Sequence, residues 1–153
     1  ALELAFRWLN DNRPAAKPVT LVHGDFRTGN FLVGPDGLIA LLDWEFTHWG
    51  CPEEDLAWLC VRDWRFGQLK KPVGGFAQRA SLYDAYAKAS GRVVDPAVVH
   101  YWEVFGNVRW AAGCVYQGER YLSGKQRDIE LIAIARRSAE MEFEALRLIE
   151  TGP

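Results

Sequence analysis

The stretch LVHGDFRTGNFLV, residues 21–33, places a cluster of polar side chains between two apolar runs. The apolar runs are typical of short buried strands, so the polar residues lie in a loop beside a core. These residues are His23, Asp25, Arg27 and Asn30. Polar groups at such a place are costly unless they are paired or used in binding. The sequence therefore predicts a binding site in this loop.

The segment after the loop predicts a small β-hairpin. The runs FLV (31–33) and LIALL (38–42) flank the turn sequence GPDG. The run VTLV (19–22) predicts another short strand before the loop. Because a hairpin returns the chain to its starting point, we expect Asp43, after the second strand, to lie beside Asn30.

Together, Asp25, Asn30 and Asp43 supply two carboxylates and one amide oxygen. Mg²⁺ accepts few protein ligands and completes its shell with water and phosphate oxygens. One carboxylate and the amide are enough for such a site, and the remaining carboxylate is then available as a base. Each residue alone is explained as well by hydrogen bonding within a turn, so the prediction depends on the whole set.

The remainder of the chain has helical patterns. PEEDLAWLCVRDW, from Pro52, places proline and three acids in a first helical turn. Further helices are predicted before Asn10, over residues 76–89, from Pro96, and over residues 126–149. The apolar face of the last helix is expected to hold Ile129, Ile132, Phe143, Leu146 and Ile149. The fold class is therefore α+β and mainly helical.

Composition predicts an ordinary globular domain over residues 1–153, with a net charge of −2. No apolar run has the length of a spanning helix, and no signal peptide is present. The three cysteines lack the spacing of a zinc site, which favours buried thiols in a reducing compartment. We therefore expect a cytoplasmic protein, with neither a membrane nor a nucleic acid as partner.

The order of HGDFRTGN and DWE resembles the catalytic and metal-binding segments of protein kinases, with the same interval from Asp to Asn. Gly24 stands where protein kinases have arginine, and LLDWE and CPEEDLAW follow. On these segments, residues 21–60 resemble the aminoglycoside phosphotransferase family, which includes aminoglycoside and choline kinases. The resemblance implies the C-terminal lobe of a protein-kinase-like fold. It divides the chain into a catalytic and metal-binding strand-loop-hairpin at 19–46 and a helical, substrate-side subdomain at 53–150.

The resemblance also implies roles for single residues. Asp25 is expected to be the base that accepts the proton of the substrate hydroxyl. Asn30 and Asp43 are expected to hold Mg²⁺ and, through it, the phosphates of ATP or another nucleotide. His23 is expected to shape the loop, and Asp55 to tie the start of a helix to it.

Two positions depart from the family pattern. Many members have histidine where this chain has Arg27, a cation that is expected to lie against the γ-phosphate and offset developing charge. The alternative is a surface arginine paired with Asp36 or Glu45. Cys51 stands where the family often has aspartate, and cysteine is a poor helix N-cap, with a cost of about 1 kcal/mol.

The sequence also lacks parts that such a kinase needs. No Gly-rich phosphate loop is present, only 22 residues precede His23, and Lys17 lies in a proline-flanked linker. We therefore expect the chain to be one lobe, cut by design or by proteolysis from a kinase about twice as long. Such a lobe is expected to be inactive alone and to expose an apolar surface where the nucleotide lobe docks, a surface through which isolated lobes would form a homodimer.

Residues 56–126 hold ten basic and five acidic residues, a net charge of +5. In the resembling family this region holds the phosphate acceptor, and a positive region repels a polycationic aminoglycoside. We therefore expect a neutral or anionic hydroxyl acceptor, such as a carboxylate or an acyl thioester, with Arg62, Arg65 and Arg109 as candidate contacts. The alternative is an ordinary solvated surface.

Two other functions remain open. In a metal-dependent hydrolase, a transition metal would be bound by His23, Asp25, Asp43 and His48 and would activate water. In a non-catalytic kinase-like module, the lobe would serve only for binding. Four tryptophans at core-like spacing are expected to serve mainly in packing: Trp58, Trp64, Trp102 and Trp110.

Overall fold

The protein consists of short strands followed and preceded by helices, as seen in a computed structural model that describes residues 1–16 and 19–153. Lys17 lies outside the described residues. The elements are α1 (Leu2–Asp11), β1 (Thr20–Val22), β2 (Phe31–Gly34), β3 (Gly37–Leu41), β4 (His48–Gly50), α2 (Pro52–Trp58), α3 (Arg79–Ser90), α4 (Pro96–Leu122), α5 (Ile129–Ala135) and α6 (Ser138–Thr151).

The predicted hairpin is present. Strands β2 and β3 pair antiparallel, with Phe31 opposite Leu41 and Gly34 opposite Gly37, and a bulge interrupts the register after Leu32. Gly37 has φ of 116°, a value that only glycine adopts readily, so the turn sequence sets the connection.

Strand β4 has no counterpart in the sequence prediction. It pairs antiparallel with β1, so that Val22 lies opposite His48 and Leu21 opposite Trp49. A three-residue strand is too short to show an alternating pattern, and only its pairing partner defines it. The pairing brings the chain that leaves the hairpin back beside the strand that enters the polar loop.

Two helices differ from their predicted lengths. Helix α2 ends at Trp58 instead of continuing to Trp64, and a 3₁₀ turn over Arg62–Arg65 replaces its last part. Phe66 then has φ of 46°, which ends any helical path. The segment predicted as one helix over residues 126–149 is divided into α5 and α6.

The predicted apolar face of that last segment is correct only in part, since Ile132, Leu146 and Ile149 are half-buried. Ile129 and Phe143 are exposed, whereas the buried apolar side chains are Leu131, Met141, Ala145 and Leu148. The break between α5 and α6 resets the helical phase, so one continuous 3.6-residue repeat cannot describe both helices.

The described chain forms two compact units, residues 1–13 with 104–153, and residues 14–103. The helical subdomain predicted over 53–150 is therefore distributed over both units. In the first unit, α1 packs against α6. The second holds the strands and two apolar clusters.

One of these clusters lies under the polar loop. Leu59, Cys60 and Val73 form its buried part, and Phe26 and Phe31 pack against it. Because Phe26 comes from the loop itself, this cluster anchors the loop to the helical part of its unit. Among the described residues, no helix is long and apolar enough to cross a membrane.

The hairpin exposes apolar side chains on both of its strands. Val33, Leu38 and Ile39 are each more than half exposed, and Leu32 and Leu42 nearly so. Trp49 on β4 is 72% exposed. An apolar surface on so small a sheet is unusual unless something covers it.

Candidate functional site

The polar loop is tied to the first turns of α2 by a carboxylate. Asp55 accepts the backbone N–H of His23 at 2.8 Å and that of Gly24 at 3.0 Å, one on each oxygen. Burial raises the pKa of Asp55 above its usual value, and the two N–H donors oppose that rise. The loop therefore begins at a fixed position relative to α2.

Gly24 fits this position because it lacks a side chain. Its φ is 79°, in the left-handed region, and a Cβ there would run into the carbonyl oxygen of Phe46. An arginine, as in protein kinases, would be excluded by both effects. The departure from the kinase pattern thus has a local steric reason.

His23 joins the loop to the end of the hairpin. Its Nδ1 accepts the backbone N–H of Asp25 at 3.2 Å, so Nε2 carries the proton and donates to the Leu42 carbonyl at 3.0 Å. The ring also lies 4.5 Å from the ring of Trp44. This buried histidine therefore shapes the loop.

The hairpin brings Asp43 to Asn30. The backbone N–H of Leu42 donates to the Asn30 carbonyl at 2.9 Å, which places the next residue, Asp43, beside the loop. Asp43 is exposed and has φ of 65°, a strained conformation for a residue other than glycine. Such strain is found most often where function requires a particular side-chain direction.

The carboxylate of Asp25 is surrounded by donors. Trp58 Nε1 donates to Oδ1 at 2.7 Å, and Asn30 Nδ2 donates to Oδ2 at 2.8 Å. Arg27 Nε lies 3.2 Å from Oδ1 and 3.1 Å from Oδ2. Because every partner is a donor, this network suits an ionised carboxylate, the form in which aspartate acts as a base.

Arg27 lies inside the site and not on the surface. It pairs with Asp25, and its guanidinium carbon is 4.8 Å from the centre of the Trp64 ring. The alternative partners considered from sequence, Asp36 and Glu45, are therefore wrong. A cation on an aromatic face beside the carboxylate is placed where it can meet an incoming phosphate.

The donor set of Asn30 and Asp43 fits a magnesium ion. Both hydrogen bonds of Asn30 Nδ2 go to Asp25, one to the backbone oxygen and one to the carboxylate, each at 2.8 Å. This fixes the amide so that its oxygen faces away from Asp25. An amide oxygen and an exposed carboxylate are the few protein ligands that Mg²⁺ uses beside water and phosphate.

The ligand set of a metal-dependent hydrolase is absent from residues 1–16 and 19–153, where no three His, Cys, Asp or Glu side chains converge as a metal site. Both ring nitrogens of His23 are engaged in the loop. His48 bonds the Phe46 carbonyl at 2.9 Å and Glu54 at 3.2 Å. That alternative therefore has no support in the geometry.

The pairing of His48 predicts a pH-dependent contribution to stability. The Phe46 carbonyl and, more weakly, Glu54 raise the pKa of His48 above 6.5. A raised pKa in the folded state stabilises the fold below the unfolded pKa, and this contribution is lost as pH rises through the folded pKa. We expect thermal melting of wild type and of His48→Gln to differ most near pH 5.5 and least near pH 8.5. A difference that is constant over this range would contradict the assignment.

Cys51 lies at the N-cap of α2 and makes no capping hydrogen bond. Instead its thiol donates to Glu53 at 2.9 Å. Burial raises the pKa of this thiol to about 11, so it stays protonated at neutral pH. The weak cap expected from the sequence is present, and the Pro52 start compensates in part.

The three arginines proposed as acceptor contacts lie in different settings. Arg65 is buried and donates to the Cys60 carbonyl and to Glu103, so its guanidinium is committed within the protein. Arg62 and Arg109 are half-buried. Arg62 belongs to the unit that carries the loop, and Arg109 belongs to the other unit.

The structure adds one residue that we expected to serve mainly in packing. Trp58 contacts the carboxylate of Asp25 through its indole N–H, besides lying 5.7 Å from the Trp64 ring. Trp58 follows Asp55 by three residues, so both side chains project from one face of α2. The sequence contains this spacing, which directs the Trp58 side chain toward the loop once Asp55 is placed against it. The spacing does not show that the indole N–H contacts Asp25.

Comparison with known proteins gives one similarity in sequence and one in fold. Over 63 residues the chain is 40% identical to acyl-CoA dehydrogenase family member 10 of Mus musculus, a match that covers 40% of this chain and 6% of that protein. The fold matches the crystal structure of a candidate aminoglycoside phosphotransferase from Ralstonia eutropha JMP134 with a TM-score of 0.82 at 22% identity. That match covers 99% of this chain and 49% of the other, so this chain spans about half of its length.

A sequence model of the phosphotransferase enzyme family, APH, matches residues 1–92. This range is more than half of the chain, and it contains the whole polar loop, the hairpin and α2. The fold match extends the agreement to the helices that follow. The chain therefore belongs to the phosphotransferase enzyme family.

Proposed function

We propose that this chain is the C-terminal catalytic lobe of an ATP- and Mg²⁺-dependent small-molecule O-phosphotransferase. The family and the fold support a kinase-like phosphotransferase, and such an enzyme uses a nucleotide. The single observation that carries the finer assignment is the contact of Asn30 with the carboxylate of Asp25, in a loop that the hairpin closes with Asp43.

In this proposal, Asp25 accepts the proton of the substrate hydroxyl while that oxygen attacks the γ-phosphorus in line. The bond from the γ-phosphorus to the bridging oxygen breaks, and ADP leaves with its electron pair. Arg27 leaves the carboxylate and contacts the phosphate. Asn30 and Asp43 hold Mg²⁺, which supplies charge stabilisation at the phosphate oxygens when it is bound. His23 and Asp55 keep the loop in place.

The exposed apolar surface on the strands is consistent with a second lobe that packs against it. Val33, Leu38 and Ile39 would be covered by a nucleotide-binding lobe, which this proposal requires because a Gly-rich phosphate loop and a strand lysine are absent from the sequence. The solved structure with the same fold is about twice as long, which agrees with such an arrangement. Without that lobe, we expect no turnover and some self-association through this surface.

The acceptor is proposed to be a neutral or anionic hydroxyl compound. The net charge of +5 over residues 56–126 supports this class over a polycation. Arg62 remains a candidate contact in the unit that carries the loop, and Arg109 one in the other unit. We do not extend the proposal to Arg65, because its guanidinium is buried against Glu103.

The test is calorimetry of Mg²⁺·ATP binding to this chain and to the protein that carries it together with the proposed nucleotide-binding lobe, called the full-length protein below. We expect only the full-length protein to bind, and Asp43→Ala to weaken its affinity at least about tenfold and abolish metal-dependent turnover. The matched control is Asp36→Ala, because Asp36 is an exposed aspartate in the turn of the same hairpin. This variant should bind Mg²⁺·ATP as wild type does. If neither protein binds the nucleotide, a non-catalytic binding module replaces the kinase proposal.

A further inference from the structure

The hydrogen-bond donors around Asp25 differ in how deeply they are buried and in their distance from the carboxylate oxygens. Trp58 and Asn30 are each 5% exposed, and they contact opposite oxygens of the carboxylate at 2.7 and 2.8 Å. The side chain of Arg27 is 27% exposed, and its Nε contacts both oxygens at 3.1 to 3.2 Å. Arg27 is therefore the donor that can leave most easily.

A base must present a lone pair to the hydroxyl that it deprotonates. Each carboxylate oxygen accepts about two hydrogen bonds. With Trp58 on Oδ1 and Asn30 on Oδ2, the acceptor directions that remain are those that Arg27 Nε now occupies. The substrate hydroxyl must therefore take the place of Arg27.

Once Arg27 has left, Trp58 and Asn30 alone hold the carboxylate. We propose that Trp58 is a positioning residue for Asp25, whose indole N–H fixes the plane of the carboxylate during proton transfer. This inference rests on the proposed function, in which Asp25 is the base. Without the N–H, Oδ1 has no buried donor and the carboxylate turns about its Cβ–Cγ bond.

Helix α2 carries both of the side chains that hold the polar loop and its carboxylate. Asp55 fixes the backbone at the start of the loop, and Trp58, one turn later on the same face, fixes the side chain of Asp25. After Trp58, the backbone N–H of Leu59 donates to the Asp55 carbonyl and that of Cys60 donates to the Ala57 carbonyl. These hydrogen bonds hold the end of the helix. The backbone that carries the indole is therefore held in place.

The first test is the steady-state release of ADP from Mg²⁺·ATP by the full-length protein, with water as the acceptor. Trp58→Phe keeps an aromatic ring against Trp64 and removes the donor together with part of the ring system. We expect kcat to fall roughly 10- to 100-fold, the usual effect of losing a buried hydrogen bond to a charged group, with the KM for ATP within about twofold of wild type. Trp102→Phe is the matched control, because Trp102 packs against the cluster at Leu56 and the same atoms are removed there.

The second test does not depend on turnover. In ¹⁵N-labelled full-length protein, the Trp58 indole resonance is assigned by its loss in Trp58→Phe, and we expect Asp25→Asn to shift it. An unshifted resonance, or a kcat unchanged by Trp58→Phe, overturns the positioning role. Wild-type protein that neither binds Mg²⁺·ATP nor releases ADP overturns the proposed function and with it the positioning role of Trp58 in proton transfer. The resonance still decides whether the hydrogen bond exists.

Discussion

Replacing Asp25 by alanine in the full-length protein is expected to lower kcat at least about 100-fold, with little change in the KM for ATP. The carboxylate is the group that accepts the hydroxyl proton, and the atoms that surround it are donors that cannot replace it. The nucleotide is held elsewhere in the proposed site, so its affinity should survive. The measurement is steady-state release of ADP over a range of ATP concentrations.

The interpretation requires that the variant stays folded. Asp25→Asn is the better probe of this, because it keeps the size of the side chain and one oxygen acceptor for Trp58. Asp36→Ala in the hairpin turn controls for the loss of one surface carboxylate. If Asp25→Ala and Asp25→Asn both turn over as wild type does, Asp25 is not the base and its network serves only the fold.

The core of the site could be predicted from sequence because its contacts are local. Asp25 and Asn30 lie in one loop, and a hairpin with a readable turn separates Asn30 from Asp43, so spacing alone sets their proximity. The same locality made the hairpin predictable. No packing against a distant segment is needed to define either feature.

The parts that sequence did not predict depend on contacts between distant segments. Strand β4 exists only through its pairing with β1, and Arg27 lies over the ring of Trp64, which is distant in sequence. The indole of Trp58 reaches Asp25 across 33 positions of the chain. A tryptophan on a helix face is usually core, so periodicity alone could not separate its polar contact from packing.

Replacing Glu103 by alanine is expected to destabilise the protein by about 3–5 kcal/mol. Its carboxylate is 1% exposed and contacts Arg65 at 2.8 Å and Arg79 at 2.7 Å. Removing it leaves two cations facing each other, one of them buried with a side chain only 5% exposed. Burial lowers the pKa of Arg79 and the Glu103 carboxylate raises it, with a net rise in the wild-type protein. Without Glu103, an arginine still keeps its charge in a protein, so neither cation can be neutralised to relieve the cost.

Urea unfolding monitored by tryptophan fluorescence tests this expectation, with Glu3→Ala as the matched control. Glu3 pairs with Arg7 on the exposed face of α1, where an ion pair contributes little, so that variant should unfold as wild type does. Replacing Arg65 by alanine should lower the free energy of unfolding less in the Glu103→Ala background than in wild type. In that background the replacement also removes a buried cation that has lost its carboxylate partner. If Glu103→Ala unfolds like Glu3→Ala, Arg65 and Arg79 do not need this carboxylate. Arg65 would then again be a candidate for binding an anionic acceptor.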